Sequence, residues 1–572
     1  MQPTHSTGAP RTHQPRYRLL TDQMPSQGMS RHVSASAVPA RSRRPTDMTS
    51  RLPSEILSSI FQPLDVPSLV NSKQVSRRWR TAIQSSSAHS YDIALAAAGL
   101  NIGPPSQLSS RRRLQIIQDY ERAWHVFPLG PYITIPKLSG NDLRVKASGN
   151  IIVQAIPADR ILSITRFFSL RLQADEQSKT VTYKMTESFD DFLVDAAQDL
   201  LVLRELSPQP QAGDHSLQLH IKTLSTAGAH PDSVSYSESF IWTPFSKAQD
   251  RKHDIAIAGD HILIMCIEYG TSFKGRSSFI VWNWKTGETR LLRLDEPAQC
   301  NFLDVHHVLV MYQYSEDRQI TVYDLFTSQN AWTGDSPYCC RFVLAEPDES
   351  MAWPITVHKI ASSTTFHSWN SSSAYSRHLP DSLIRLIIQD EDIALDEDED
   401  PVYRAIEFTI PTSCLIRLVL TAPSRGHTYD WHTWGPGNAY VVDKEGMWYD
   451  EPEFAMVGTR SFHLERTDGE MYLCIRDFDR KRVRERMADD DADPDLQTWS
   501  ILHQLAPQSI QTVSSLPLLR RKVRVPQLDH IPDPCYCDIL ATEDAVIMHR
   551  FSSRLPQDKS VIVLPLRSSL TQ

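Results

Sequence analysis

The C-terminal part of the chain constrains the fold most, because the hydrophobic pattern changes near Phe127. From there to the C-terminus, short runs of β-branched, aromatic and aliphatic residues alternate with clusters of turn-forming residues. This alternation is typical of an all-β domain. Thr286-Gly287 and Asp468-Gly469 lie between apolar runs and predict hairpin turns. We therefore predict a β-rich domain over residues 128–572.

Within this region one pattern recurs at a spacing that favours a repeat architecture. A strand with its own hairpin is followed by a strand that ends in a Thr/Gly-type turn, and the pattern starts at Phe192, Ile255 and Phe302. These starts are 63 and 47 residues apart. Units of this length, with about four strands each, are typical of the blades of a β-propeller. A β-sandwich is the alternative, since it gives a similar pattern.

The N-terminal part of the chain has a different composition and period. Residues 1–49 are rich in Ser, Pro, Thr, Arg and His, which predicts a disordered leader. Residues 50–87 predict a small all-α unit, and residues 88–127 predict a helical linker. The predicted fold class is therefore α+β multidomain, in which a small all-α unit and a helical linker precede an all-β domain, interpreted as a β-propeller.

The small helical unit is strongly apolar for its size. Its first helix carries apolar residues at the spacing of one helical face, namely Ile56, Leu57, Ile60, Phe61 and Leu64. Pro63 ends that helix, and Ser76 is placed to cap a third helix that carries Trp79 and Ile83. Below roughly 40 residues a helical unit rarely stabilises itself. We therefore expect a second protein to cover this apolar face.

Composition and charge limit the function classes. The chain is 41% hydrophobic, has no run of 18 apolar residues and begins with no apolar signal segment, so we predict neither a membrane span nor secretion. Eight cysteines without a spaced framework indicate reduced thiols, as in the cytosol or nucleus. The net charge of -9 divides into +8 over residues 1–90 (12 Lys/Arg, 4 Asp/Glu) and -17 over the remainder (47 and 64).

No motif for catalysis, a metal or a cofactor stands out. Residues 270–277, GTSFKGRS, resemble a phosphate-binding loop, but Arg276 stands where the motif needs Lys and a strand follows instead of a helix. No HExxH, GxSxG or paired CxxC occurs. Cys535 and Cys537 share one face of a predicted strand, which is more typical of a core than of a metal site. We therefore predict a binding protein without enzyme activity, cofactor or metal.

Three stretches of the β-rich region stand out as loops. Residues 390–400 are acidic and residues 476–495 combine basic and acidic runs, so both are predicted to be solvated insertions. Trp431 and Trp434 stand beside a Gly-Pro-Gly turn, and an exposed loop there would bind a target, because Trp is a frequent hot-spot residue. The alternative is that these two tryptophans cover a core.

The segment 52–83 resembles the F-box. The resemblance rests on motif residues that stand in their usual order: Leu52-Pro53 with Glu55, Ile56-Leu57, Ile60-Phe61, Leu64-Asp65-Val66, Ser68-Leu69 and Val75-Ser76-Arg77-Arg78-Trp79-Arg80. Asn71-Ser72 departs from the pattern, because more apolar residues are common there. Residues 91–105, 109–127 and 434–443 resemble segments of a group of F-box proteins from mushroom-forming fungi, which carry a propeller-like β-domain.

This resemblance implies a partner and a role. F-box domains bind the Skp adaptor of a cullin-based SCF ubiquitin ligase, and the β-domain would then hold an unknown protein target. The residues that the resemblance assigns to adaptor binding are Leu52, Pro53, Ile56, Leu57, Ile60, Phe61, Leu64, Leu69, Val75, Trp79 and Ile83.

Two other functions are compatible with the sequence. The F-box would also suit a scaffold protein that binds the adaptor outside a ligase. The β-domain would also suit an enzyme or a small-molecule binder, since propellers host both. Nucleic-acid binding through the Arg-rich N-terminal part is not favoured, and no membrane partner is expected.

Overall fold

The structure of the 572-residue chain is a computed structural model. It describes residues 52–97, 100–102, 108–126, 132–140, 142–167, 179–208, 215–242, 250–269, 275–312, 319–325, 331–332, 338–344, 355–362, 375–377, 382–390, 403–447, 454–479, 482–483, 500–502, 518–525, 528, 537–542, 545–550 and 560–565. The predicted leader at residues 1–49 lies outside these ranges. Residues 54–572 form one compact unit.

Helices dominate the first part of the described chain. They are α1 (Ser54–Phe61), α2 (Val66–Val75), α3 (Arg77–Ser85), α4 (Ser87–Ala97) and α5 (Ser110–Val126), followed much later by α6 (Thr412–Thr421) and α7 (Trp431–Trp434). A short strand, β1 (Leu100–Ile102), separates α4 from α5. The predicted cap at Ser76 is confirmed, since Ser76 Oγ accepts from Trp79 N–H, and Ser109 Oγ accepts from Arg112 N–H in the same way at the start of α5. None of the described helices is both long and apolar enough to cross a membrane.

The remaining described strands form seven blades around a ring, which confirms the propeller. Blade 1 contains β3 (Arg144–Ser148), β4 (Ile151–Ile156), β5 (Ile161–Arg166) and β6 (Lys179–Lys184). Blade 2 contains β7 (Asp191–Asp195), β8 (Leu200–Pro208), β9 (His215–Thr223) and β10 (Ser237–Trp242). Blade 3 contains β11 (Asp250–Ala258), β12 (His261–Tyr269), β13 (Gly275–Asn283) and β14 (Thr289–Leu294). Blade 4 contains β15 (Ala298–Phe302), β16 (His307–Tyr312) and β17 (Gln319–Asp324), and after β18 (Ala331–Trp332), which joins the sheet of blade 3, it ends with β19 (Cys340–Val343).

Blades 5 to 7 complete the ring. Blade 5 contains β20 (Ile355–Ser362), β22 (Leu383–Asp390), β23 (Tyr403–Pro411) and β25 (Tyr440–Met447), with β21 (Tyr375–Arg377) and β24 (His427–Tyr429) in its connections. Blade 6 contains β26 (Phe454–Val457), β27 (Arg460–Thr467), β28 (Glu470–Asp477), β29 (Ser500–Leu502) and β30 (Leu518–Arg524). Blade 7 joins β31 (Cys537–Ala541), β32 (Ala545–Arg550) and β33 (Ser560–Pro565) to β2 (Ile133–Pro136).

The ring is closed by pairing the two ends of the β-domain. β2, which directly follows the linker, pairs antiparallel with β33 near the C-terminus. The first strands of neighbouring blades contact one another from β3 through β7, β11 and β15 to β20, and from β26 through β31 back to β3. The first strands therefore line the centre. The predicted repeat starts at Phe192, Ile255 and Phe302 lie in three of these first strands.

Apolar residues from facing blades bury one another in most seams of the ring. Phe192 lies between blades 1 and 2, Trp282 between blades 2 and 3, Phe302 between blades 3 and 4, and Phe408 between blades 4 and 5. The seam between blades 5 and 6 differs. Its apolar cluster is small, and a buried ion pair lies beside it, with Arg385 Nη2 2.8 Å from Glu407 Oε2.

The predicted hairpin turns at Thr286-Gly287 and Asp468-Gly469 are confirmed between β13 and β14 and between β27 and β28. Gly287 has φ +80° and donates its N–H to the Asn283 carbonyl. Asp468 and Gly469 have φ +53° and +83°, so both central residues of that turn are left-handed, as a type I′ hairpin turn requires.

The predicted target-binding loop at Trp431 and Trp434 is corrected by the structure. Both side chains are buried, at 4% and 0% exposure, because α7 is part of an insertion between β23 and β25 that packs on blade 4. Trp434 Nε1 donates to the Val343 carbonyl at 2.7 Å, and β24 of the same insertion pairs in parallel with β19. The two tryptophans therefore cover a core, which was the alternative interpretation.

The close approach of Gly435 to Trp431 gives a testable prediction. A Cβ atom at Gly435 would lie 2.2 Å from the Trp431 ring, so Gly435→Ala must displace a buried aromatic side chain. We expect a loss of about 1–3 kcal/mol in the free energy of unfolding, measured by thermal or urea denaturation. Gly228→Ala, whose added Cβ would meet an exposed Thr226 hydroxyl at 3.2 Å, serves as the control with a smaller effect. Equal stability of the two variants would contradict the packing argument.

The predicted loop insertions are partly covered by the structure. Asp390 ends β22, and residues 391–400 lie outside the described ranges. The stretch 476–495 differs from a solvated insertion at its start, because Asp477 ends β28 and is 2% exposed. Arg482 is also largely buried, as an ion-pair partner of Asp477. Cys535 and residues 270–274 lie outside the described ranges, whereas Gly275 begins β13 as a strand, as predicted.

Candidate functional site

The first four helices form a small module with its own aromatic core. The Phe61 ring of α1 meets the Trp79 ring of α3 edge-on, with centroids 5.2 Å apart. His89 of α4 lies 6.3 Å from the same Phe61 ring, and its Nε2 is 3.1 Å from the Ser58 carbonyl. These contacts join α1, α3 and α4 around one phenyl ring, so a helix from the linker completes the module.

Two side-chain caps set the helix boundaries within the module. Asp65 accepts a hydrogen bond from Ser68 N–H at 3.0 Å, which caps α2. Hydrogen bonds from the Ser68 side chain and from its backbone lower the pKa of the Asp65 carboxyl. Pro67 stands in the first turn of α2, where its missing N–H costs nothing. Ser76 ends α2 and caps α3. The three helices are thus short because the sequence interrupts and restarts them twice.

Four apolar side chains on α1 and α2 of the module are exposed. Ile56 and Ile60 lie one helical turn apart on α1 and are 47% and 50% exposed. Val70 and Val75 on α2 are 38% and 65% exposed. Nine large hydrophobic side chains are exposed among the described residues, and four of them lie in the 20 positions from Ile56 to Val75 of this module. We call Ile56, Ile60, Val70 and Val75 the apolar stripe. Such a stripe marks a protein-binding surface.

The structure sorts the eleven predicted adaptor-binding residues by exposure. Those exposed are Pro53, Ile56, Ile60 and Val75; those half-buried are Leu52, Leu64 and Trp79; those buried are Leu57, Phe61, Leu69 and Ile83. The four buried side chains pack the interior of the chain, so in this arrangement they support the surface and do not form it. Direct contact with a partner stays a prediction for all eleven residues, of which the exposed group is already accessible in this arrangement.

Val70 was missed by the sequence analysis. It stands beside Leu69 in the middle of α2, and the apolar pair does not show which of the two points inward. Leu69 is 1% exposed and Val70 is 38% exposed, so adjacent positions on the helix divide between interior and surface. Val70 lies one helical turn from both Val66 and Lys73, so helical spacing places it on the same side of α2 as a lysine. This indication of a surface position is weak, because α2 is only weakly amphipathic.

The linker attaches this module to the propeller through an apolar contact. Tyr91 and Leu95 of α4 and Ile117 and Trp124 of α5 belong to one buried cluster with residues of blades 6 and 7. The Trp124 and Phe462 rings lie 5.9 Å apart. In addition, β1 of the linker pairs antiparallel with β21 in a blade 5 connection. The linker therefore contacts three consecutive blades.

A chain of charged groups also holds the linker to the propeller. The Arg460 guanidinium lies 4.2 Å above the Trp124 ring, and its Nε is 3.0 Å from Asp477 Oδ2. Arg482 joins that carboxylate at 2.8 Å to Glu121 of α5 at 2.9 Å. Arg460 and Asp477 are each 2% exposed at their side chains. We call these five residues the linker clamp, because they connect α5 to the strand ends of blade 6.

A second polar cluster on blade 6 has metal-ligand residue types but is organised as an ion-pair network. His463, Glu465 and Cys474 bring their ligand atoms within 4.8 Å of one another. Burial raises the pKa of Glu465, but hydrogen bonds from Cys474 and Lys522 lower it more, to about 2. Burial and the Glu465 carboxylate raise the pKa of the Cys474 thiol to about 12. Lys522 and Arg520 already occupy the carboxylate, at 2.5 and 2.9 Å, so the set suits a neutralised pair better than a cation.

The fold and the site together define a class. A helical module with exposed apolar side chains is attached through its linker to a seven-bladed propeller. Residues 49–89 match the F-box-like family model, so the chain carries an F-box-like domain and has the architecture of an F-box substrate receptor. Domains of this family generally bind Skp-type adaptors. No curated protein matches the chain at a significant level.

Proposed function

We propose that this chain is the substrate-recognition subunit of a cullin-based SCF ubiquitin ligase. The F-box-like domain binds a Skp-type adaptor through the apolar stripe, the adaptor joins the chain to a cullin, and the propeller holds a protein target. The observation that carries the proposal is the exposure of Ile56 and Ile60 on a module whose interior is otherwise packed. Leaving both side chains in water is unfavourable by about 25 cal/mol per Å² of apolar surface, and a partner removes that cost.

The ligase would work by proximity and not by chemistry from this chain. Holding a target lysine near the ubiquitin carrier raises its effective concentration into the millimolar range, provided that the geometry permits the encounter. The linker supports this role, because the linker clamp and the β1–β21 pair attach the F-box-like domain to blades 5, 6 and 7. No residue of this chain is assigned a catalytic part.

Reconstitution with purified components tests the proposal. The full-length chain is mixed with a Skp-type adaptor and a cullin, and the mixture is separated by size-exclusion chromatography. The proposal expects a complex that contains all three, in which the cullin joins only when the adaptor is present. An adaptor complex that never recruits the cullin would favour a scaffold outside the ligase, and a chain that elutes alone would overturn both roles.

A further inference from the structure

A basic patch adjoins the apolar stripe at the junction of α2 and α3. Between Asp65 and Asp92 the sequence carries four cations, Lys73, Arg77, Arg78 and Arg80, and no carboxylate. This local excess contrasts with the -17 of the chain beyond residue 90. A solvated helix surface usually mixes both signs, so the one-sided set points to a function.

The structure places three of these cations on one accessible surface. Arg80 Nε donates to the Lys73 carbonyl at 3.2 Å, which holds the Arg80 side chain against the last turn of α2. Arg77 and Arg80 are exposed and Lys73 is half-buried. None of the three forms an ion pair with a residue that the structure describes. Val75, the most exposed member of the apolar stripe, lies two residues before Arg77. We call Lys73, Arg77 and Arg80 the basic rim.

The position of these charges is unfavourable for the module itself. Arg77, Arg78 and Arg80 occupy the first turn or so of α3, and that turn has no acidic residue. The N-terminus of a helix carries a partial positive charge, so cations there are repelled and anions are favoured. Among the described residues, no carboxylate pairs with Arg77 or Arg80 at this helix end. An anionic group from outside would be attracted to both the helix end and the guanidinium groups.

We propose that the partner bound at the apolar stripe presents carboxylates to the basic rim, an inference that rests on the proposed function and specifies its partner surface. Protein interfaces place apolar contacts at the centre and charged groups at the rim, which matches Val70 and Val75 with the basic rim beside them. Charge complementarity at a rim acts chiefly on the association rate and on specificity. The partner is therefore an adaptor whose docking surface is acidic where it meets α3.

A polyanion such as nucleic acid fits these observations less well. The rim offers three cations beside exposed aliphatic side chains, whereas nucleic-acid sites extend cations along a groove or helix and use few aliphatic contacts. The carboxylates of a protein surface, which are discrete and flanked by apolar residues, match the patch in size and kind.

The association kinetics of the full-length chain with a Skp-type adaptor test the inference. We expect the wild-type on-rate to fall several-fold or more between about 50 and about 500 mM NaCl, because salt screens exposed charges. Arg77→Gln with Arg80→Gln should lower the low-salt on-rate by roughly 5- to 10-fold and flatten its salt dependence, with a smaller change in the off-rate. Arg77→Lys with Arg80→Lys keeps the charge and should restore the salt dependence.

A matched control separates the basic rim from net charge. Arg417→Gln with Arg425→Gln removes two exposed arginines from the α6 insertion of blade 5 and should leave the kinetics unchanged. Tight adaptor binding whose on-rate ignores both salt and the rim variant would overturn the inference while the proposed function stands. Absence of adaptor binding at every salt concentration would overturn both. If a short DNA duplex displaced the adaptor from the wild-type chain but not from the rim variant, the ligand of the basic rim would be nucleic acid and not an acidic protein surface.

Discussion

Replacing Ile56 and Ile60 together by arginine should reduce the affinity for a Skp-type adaptor by more than about 100-fold. Full burial of an isoleucine contributes about 1.5–3 kcal/mol, so each of these half-exposed side chains contributes about half of that on binding. About 1.4 kcal/mol corresponds to a factor of ten in affinity. Two charges introduced at the centre of an apolar contact add a desolvation cost. Isothermal titration calorimetry of the full-length double variant with the purified adaptor measures the effect.

The fold of this variant should be intact, since both positions are about half exposed in the chain and face away from the Phe61 core. Leu420→Arg provides the matched control, because Leu420 on α6 is 72% exposed and lies in the propeller. It should bind the adaptor as the wild-type chain does. Unchanged binding by the Ile56/Ile60 variant, with a normal unfolding transition, would remove the apolar stripe as the docking surface.

The propeller could be predicted from sequence where the blades are regular. Phe192, Ile255 and Phe302 mark equivalent first strands because blades 2, 3 and 4 follow one another with moderate connections. Blade 5 breaks the pattern, since α6, β24 and α7 intervene between β23 and β25. The closing strand β2 could not be assigned at all. Its partner β33 lies at the far end of the chain, and no local pattern encodes a pairing over that distance.

The sequence predicted which residues of α1 are apolar, but not which of them are exposed at the surface of the candidate site. Helical spacing found the apolar residues of α1, yet it could not divide Leu57 and Phe61 from Ile56 and Ile60, because all four lie on a wide apolar arc. The division depends on α4, whose His89 contacts the Phe61 side and leaves the isoleucine side open. The sequence had assigned α4 to a linker. A contact between the module and the linker is tertiary information.

For the tryptophans of α7, the sequence suggested exposure where the structure shows burial. A Trp-rich segment beside a Gly-Pro-Gly turn suggested an exposed recognition loop, but both indole rings are buried in the apolar cluster between blades 4 and 5. Trp434 satisfies its single N–H by donating to the Val343 carbonyl, so nothing opposes its burial. The exposed hydrophobic residues that carry the proposed function are aliphatic, and they are exposed because no described element of the chain packs on them.

Asp477→Ala should lower the free energy of unfolding by about 3–5 kcal/mol, the usual cost of removing one partner of a buried ion pair. The carboxylate joins Arg460 at 3.0 Å and Arg482 at 2.8 Å, and both Arg460 and Asp477 are almost completely buried. Removing it leaves the Arg460 guanidinium in a low-dielectric site with the Trp124 ring as its remaining described contact of the linker clamp. Urea denaturation followed by tryptophan fluorescence measures the loss.

Two further variants compare the buried network with a surface ion pair. Glu288→Ala removes the partner of Arg290 in an exposed pair and should cost less than about 1 kcal/mol, which calibrates the measurement for a surface ion pair. Glu121→Gln keeps the shape of the α5 side of the clamp and removes its charge, so it should fall between the two. If all three variants unfold alike, the buried network is not what holds α5 to blade 6, and the apolar contact of Trp124 with Phe462 must carry that attachment alone.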